Sequence, residues 1–150
     1  MADFPQLPID GVLLPKAALA RCEVRYVEPD EIPLAEALQR EVAKDTSPEI
    51  YHVSPEEDWY RKRYGDSFFV GVFLPEIKTK AGQNPMIALM RVGYLEASEY
   101  AGILGWGQDK ADLSADVDDV IVHPAFRGNG LQRLLLEVGE CVCEAMGLGY

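Results

Sequence analysis

Apolar and polar residues alternate from Arg21 to Val27 (RCEVRYV), with Cys22, Val24 and Tyr26 set against charged neighbours. That period of two predicts a half-buried strand. The period then lengthens. Leu34, Leu38 and Val42, with Ala35, recur at helical spacing as far as about Lys44, which predicts an amphipathic helix. Pro29-Asp30 precedes it, with Asp30 as the expected N-cap and Pro33 tolerable in the first turn. Thr46–Val53 reads as a loop. Ser54-Pro55-Glu56-Glu57 predicts a second helix start: a serine cap, a proline at the first helical position and a glutamate three residues after the serine. That helix should run through Trp59 and Tyr60 to Tyr64 and stop at Gly65.

Two apolar runs follow, Ser67–Leu74 (SFFVGVFL) and Met86–Val92 (MIALMRV), separated by the turn region Pro75–Pro85. They predict a hairpin. Gly93–Asp116 is a long connection for a compact domain. A further strand is expected from Asp118 to Val122. The last helix has the clearest pattern: Leu131, Leu134, Leu135, Val138, Val142 and Ala145 fall on one face, and Gly147 and Gly149 follow. Those leucines read as core. Residues 1–20 hold Pro5, Pro8 and Pro15 among apolar residues and read as an N-terminal arm on a single domain, 21–150.

The chemistry concentrates where the last predicted strand meets the last helix. Asp118–Leu136 reads DDVIVHPAFRGNGLQRLLL. The strand Val120, Ile121, Val122 enters a turn at His123-Pro124. Arg127-Gly128-Asn129-Gly130 then opens the helix. A helix's first turn has unpaired N–H groups and the positive end of its dipole, which suits an anion. Glycines allow close approach to the backbone, and Arg127 adds a planar, fixed positive charge. A P-loop would require Gly-Lys-Ser/Thr, and no lysine is here. A dinucleotide fingerprint requires three spaced glycines and an acidic residue about 20 positions on, whereas Glu140 and Glu144 come too soon. The plainer alternative is a strand–turn–helix connection with no ligand.

HPAFRGNGLQRLL resembles the acyl-CoA-binding motif of the GNAT acetyltransferase superfamily: Arg or Gln, two variable residues, Gly, one variable residue, then Gly or Ala. Arg127 to Leu131 fill the first five places; Gln132 stands where Gly or Ala is usual. The resemblance runs from about residue 21 to residue 150. It implies an α/β (α+β) fold with a mixed, mostly antiparallel central sheet flanked by helices. By the same resemblance the sheet continues past the motif helix, so the chain would carry only the N-terminal portion of the fold and its C-terminal part would be missing. The implied cosubstrate is acetyl-CoA. Val120, Ile121 and Val122 would hold the pantetheine by backbone hydrogen bonds, and Arg127, Gly128, Asn129, Gly130, Leu131 and Gln132 would hold the pyrophosphate. Members are often homodimers, and their general acid is often a tyrosine beyond the motif helix.

Acetyl transfer to an amine requires a positioned thioester and a deprotonated ammonium. Asp118 and Asp119 are the candidate bases. They are expected to begin the motif strand and to point to opposite faces, where burial would raise a carboxylate pKa usefully. The alternative is that they are solvated strand-start residues. His123 is a second candidate by chemistry, in the turn at the rim. Arg133 could reach a phosphate or be plain surface. Arg61, Lys62 and Arg63 could contact phosphates, or simply complement a helix dipole. The Gly93–Asp116 connection, by resemblance, borders the acceptor pocket; otherwise it is a surface excursion.

Composition narrows the partners. The chain has 150 residues and a formal net charge of -11. That charge argues against a nucleic-acid surface, which requires a basic field. It is compatible with a cationic amine acceptor, although acidity commonly serves solubility. Cys22, Cys141 and Cys143 lack the spacing of a metal knuckle or redox pair, so no metal is expected. No signal pattern or apolar run of spanning length is present, and the default location is cytoplasmic. Two functions stay open: an acetyl-CoA-dependent N-acetyltransferase acting on a primary amine of unknown identity, and a non-catalytic acyl-CoA-binding or regulatory module of the same fold.

Overall fold

Two strands are buried at every residue, Ser67–Phe73 and Met86–Gly93. A strand covered on both faces reads as a continuous apolar run instead of an alternating one, and SFFVGVF does so. The computed structural model describes residues 12–13, 21–46, 59–75, 78–94 and 103–149. Its strands are β1 (Val12–Leu13), β2 (Arg21–Tyr26), β3 (Ser67–Phe73), β4 (Met86–Gly93) and β5 (Asp116–Val122). Its helices are α1 (Ile32–Asp45), α2 (Trp59–Arg63), α3 (Gln108–Asp112) and α4 (Leu131–Ala145). The sheet order is β1-β2-β3-β4-β5, and every pairing is antiparallel. This is a mixed α/β fold with an antiparallel sheet flanked by helices. No described helix is long and apolar enough to cross a membrane.

The sheet separates two cores. On one face Val70, Val72, Met90 and Val92 pack against Leu131, Leu135, Val138 and Val142 of α4. On the other, Phe69, Phe73, Leu89 and Ile121 pack against Ile32, Ala35, Leu38 and Val42 of α1 and Tyr60 of α2. The spacing of the apolar positions thus places both helices. One expected core position fails: Ala145 is exposed, in the last turn of α4. Gly139 is buried instead, and a Cβ there would stand 2.7 Å from Met90 Cε. The glycine lets α4 lie close over β4. Gly147 ends α4 with φ 78°, and Leu148 N–H donates to Cys143 O at 2.9 Å, a Schellman closure.

The start of α1 differs from expectation. Asp30 is not its cap. Pro29–Glu31 form a 3-10 turn, Glu31 N–H donates to Glu28 O at 2.9 Å, and Glu28 N–H donates to Glu31 Oε1 at 2.9 Å. Glu31 also accepts both arms of Arg25, Nη1 to Oε1 and Nη2 to Oε2, each at 2.6 Å. The Arg25 guanidinium lies 3.8 Å from the Phe73 ring centroid. This pair fastens β2 to the entry of α1. Burial pushes the Glu31 carboxyl up, but the Arg25 hydrogen bonds, the Glu28 N–H and the Arg25 charge together hold its pKa below the usual value.

α2 ends at Arg63 and continues as a 3-10 turn, Tyr64–Asp66, so Gly65 lies inside that turn and does not terminate the α-helix. The expected helix start at Ser54–Glu57 lies outside the described residues, as do residues 95–102 of the Gly93–Asp116 connection. Of the arm 1–20, only Val12–Leu13 is described, and it pairs with β2.

Candidate functional site

β5 is the last strand of the sheet and, among the described residues, pairs only with β4. Its other edge therefore leaves backbone N–H and C=O groups available to a ligand or to water. A cleft of ≈ 750 Å³ opens beside that edge, within the size range that holds small-molecule ligands. Its walls come from both faces of the sheet: Val42 and Thr46 from the end of α1, Val120, Ile121 and Val122 from β5, and Leu131, Gln132, Arg133 and Leu136 from α4. Helices on opposite faces can line one cleft only by meeting around the sheet's edge. Phe126, Arg127, Gly128 and Gly130 close the remaining side.

The connection from β5 to α4 is built in steps. His123 N–H continues the ladder by donating to Ile87 O at 2.8 Å. Pro124–Phe126 form a 3-10 turn, capped by His123 Nδ1, which accepts from Ala125 N–H at 3.1 Å. Arg127 is extended, Gly128 has φ 80° and Gly130 has φ 75°. Both glycines are therefore required by left-handed backbone. A Cβ at either would meet nothing within 4 Å, so the space above them is open.

Gly130 is the N-cap of α4, and no side chain caps the helix. The first helical hydrogen bond is Leu134 N–H to Gly130 O, 3.0 Å. The N–H groups of Leu131, Gln132 and Arg133 thus have no acceptor within the helix. They sit at the positive end of a 15-residue dipole, beside the guanidiniums of Arg127 and Arg133. This arrangement can hold a phosphate group by backbone donors and charge together.

Eight of the nine residues expected to bind the cofactor line this one cleft: Val120, Ile121, Val122, Arg127, Gly128, Gly130, Leu131 and Gln132. Asn129 does not line it. Its Nδ2 donates to Phe126 O at 2.9 Å and Arg127 O at 3.4 Å, so its side chain braces the turn. Arg61, Lys62 and Arg63 of α2 are not on the cleft wall. His123 is spent on capping, with its ring edge-on to Phe126 at 5.6 Å. Val42, Thr46, Phe126 and Leu136 were not expected. Val42 and Leu136 read in the sequence as ordinary helix positions, and nothing local marks Thr46.

The two candidate bases are corrected in position. β5 begins at Asp116, so Asp118 and Asp119 lie mid-strand. The register runs from Met90 opposite Val120 to Arg91 opposite Asp118, which leaves Asp119 as the extra residue of a β-bulge. The regular one-to-one pairing of β5 with β4 is interrupted there. Asp119 has φ 50°, the one non-glycine residue with positive φ among those described. Asp119 does not line the cleft, though it immediately precedes Val120, which does.

Left-handed backbone at a non-glycine residue stores strain of about 1–3 kcal/mol, least for Asp and Asn. Asp119→Val should therefore lower stability by about 1–2 kcal/mol, because a β-branched residue fits that conformation worst. Asp119→Gly should be near neutral. Thermal melts of the two variants check this, and a Val variant as stable as the Gly variant would show that the bulge relaxes freely.

The shifted tyrosines lie elsewhere. Burial raises the pKa of Tyr26 to about 12 and pushes Tyr64 and Tyr94 upward, and none of the three lines the cleft.

No protein-family model matches the chain, and no curated protein matches it. Among solved structures it is similar to the PaiA N-acetyltransferase of Thermoplasma acidophilum, crystallised in complex with coenzyme A. The TM-score is 0.55 at 16% sequence identity, covering 85% of this chain and 74% of that one. At that identity the likeness shows the fold: the antiparallel sheet with flanking helices is shared.

Proposed function

We propose that the cleft binds acetyl-CoA and that the chain transfers its acetyl group to a primary amine. The observation that carries this reading is the uncapped start of α4. Three N–H groups without helical acceptors, two glycines in left-handed backbone and Arg127 converge on one wall of a cleft beside an open strand edge. Leu131, Gln132, Arg133 and Arg127 would hold the pyrophosphate. The outer edge of Val120–Val122 would pair with the amides of the pantetheine arm. Support also comes from the shared fold of the N-acetyltransferase whose structure contains coenzyme A.

The thioester, when bound, supplies an activated acyl group; the chain's own residues orient it and manage protons. An ammonium must lose its proton before it can attack. We assign that proton to Asp118 or Asp119, directly or through water, because the bulge lies next to Val120 at the cleft wall.

A non-catalytic acyl-CoA-binding module is the second reading. It is favoured by the absence of Asp119 from the cleft lining and by Gln132, which stands exposed on the wall where the motif usually has Gly or Ala. A free-thiol assay with acetyl-CoA across a broad panel of amines separates the two. Acceptor-dependent thiol release supports the enzyme. Coenzyme A binding without such release supports the module, and a chain that binds no coenzyme A contradicts both.

A further inference from the structure

Arg127 already has an anion. Its Nη1 donates to Asp45 Oδ2 at 2.9 Å and its Nη2 reaches Thr46 Oγ1 at 3.5 Å. Asp45 is the last residue of α1, 82 positions earlier in the chain. Thr46 lines the same cleft as Arg127. The contact therefore ties the end of α1 to the loop before α4, one wall of the cleft to another. A carboxylate oxygen facing a guanidinium uses the donors that a phosphate oxygen would use.

Two features set Asp45 apart from an ordinary surface carboxylate. It stands at the negative end of the α1 dipole, where an acidic residue is unfavourable, and Arg127 offsets that. The pair is also half exposed, at 45% for Arg127 and 54% for Asp45. Exposed pairs are weak, worth less than about fivefold in an equilibrium constant, so a ligand can displace this one.

We propose that Asp45 is an internal competitor for Arg127: a built-in anion that occupies the guanidinium while the cleft is empty and must yield it when the ligand's phosphate arrives. This rests on the acyl-CoA reading and adds its regulation. The affinity of the cleft is then set partly by α1, and the departure of Asp45 from Arg127 reports occupancy to that helix. Arg133 provides an internal contrast. It too lines the cleft and is paired, Nε to Glu137 Oε1 at 3.1 Å. That partner is one turn along the same helix, and Arg133 is 86% exposed, so the contact joins no two walls.

Calorimetric titration of the full chain with coenzyme A, at fixed ionic strength, tests the proposal. Asp45→Asn and Asp45→Ala should each bind about two- to fivefold tighter than the wild type. Glu137→Ala should change affinity less, and Asp45→Ala should have no effect when combined with Arg127→Gln. Unchanged or weaker binding in both Asp45 variants overturns the proposal, because weaker binding would make Asp45 a residue that orients Arg127 for the ligand. Equal tightening by Glu137→Ala also overturns it, since removal of any negative charge would then suffice. A wild type that binds no coenzyme A removes the acyl-CoA reading itself, whereas binding insensitive to Asp45 removes only the competition.

Discussion

Arg127→Glu should lower the affinity for coenzyme A by about 30- to 150-fold, the equivalent of losing one charge-assisted phosphate contact of about 2–3 kcal/mol. The variant should keep its fold. The Arg127 side chain is 45% exposed and its partner Asp45 54%, so breaking the pair and bringing a like charge near Asp45 should change stability by less than about 1 kcal/mol. The separation of the two effects is what makes the prediction informative. A residue that serves only the turn would lose stability and binding together. Gly130→Val is a weaker test, because φ 75° there already demands glycine and strain would accompany any loss of binding. Titration of Arg127→Glu with coenzyme A, alongside a melt, decides the matter. Wild-type affinity in a folded variant would remove Arg127 from the site.

The second large effect concerns stability. Glu31 is buried and accepts two hydrogen bonds from Arg25 and one from Glu28 N–H. Breaking a buried pair from one side costs about 3–5 kcal/mol. Here Arg25 is 29% exposed and keeps Glu23 at 3.3 Å, and Gln retains the shape of Glu. Glu31→Gln should therefore cost about 2 kcal/mol, or a melting temperature roughly 4–8 °C lower for a chain of this length.

The effect should depend on pH in a definite direction. The carboxyl pKa is lowered in the folded state. Its contribution is therefore complete above the unfolded value, about 4.3, and is lost as pH falls through the lower folded value. The gap between wild type and Glu31→Gln should be constant at neutral pH and close on acidification below about pH 4. Urea unfolding of both proteins at several pH values measures it. A gap that persists undiminished into strong acid would mean that the charge of Glu31 is not what matters.

The parts of the fold that were legible in the sequence are those fixed by local period. Leu131, Leu135, Val138 and Val142 repeat at helical spacing and bury one face of α4. The runs at Ser67 and Met86 are continuous because both faces of β3 and β4 are covered. The cleft's α4 wall was legible for a related reason: left-handed backbone at Gly128 and Gly130 and the uncapped helix start both come from a few adjacent residues.

The features that were missed depend on contacts distant in sequence. Val42 and Thr46 reach the cleft only because α1 docks across the sheet edge, and nothing near Asp45 announces Arg127. The bulge at Asp119 depends on its register with Met90 and Arg91, which no neighbouring residue in the sequence announces. Asp30 has the chemistry of an N-cap, yet Glu28 and Glu31 supply the closure because Arg25 holds Glu31 from the neighbouring strand.

Acyl-CoA binding in the cleft between α1, β5 and the start of α4, as proposed, should stabilise the fold. A thermal melt of the 150-residue chain with and without excess acetyl-CoA tests it most directly. Ligand at about 100 times its dissociation constant adds about 2.7 kcal/mol of stability, a rise of several degrees for a domain of this length. That rise is expected, and Arg127→Glu should abolish most of it at the same ligand concentration. A cooperative melt that acetyl-CoA leaves unmoved would contradict the proposal.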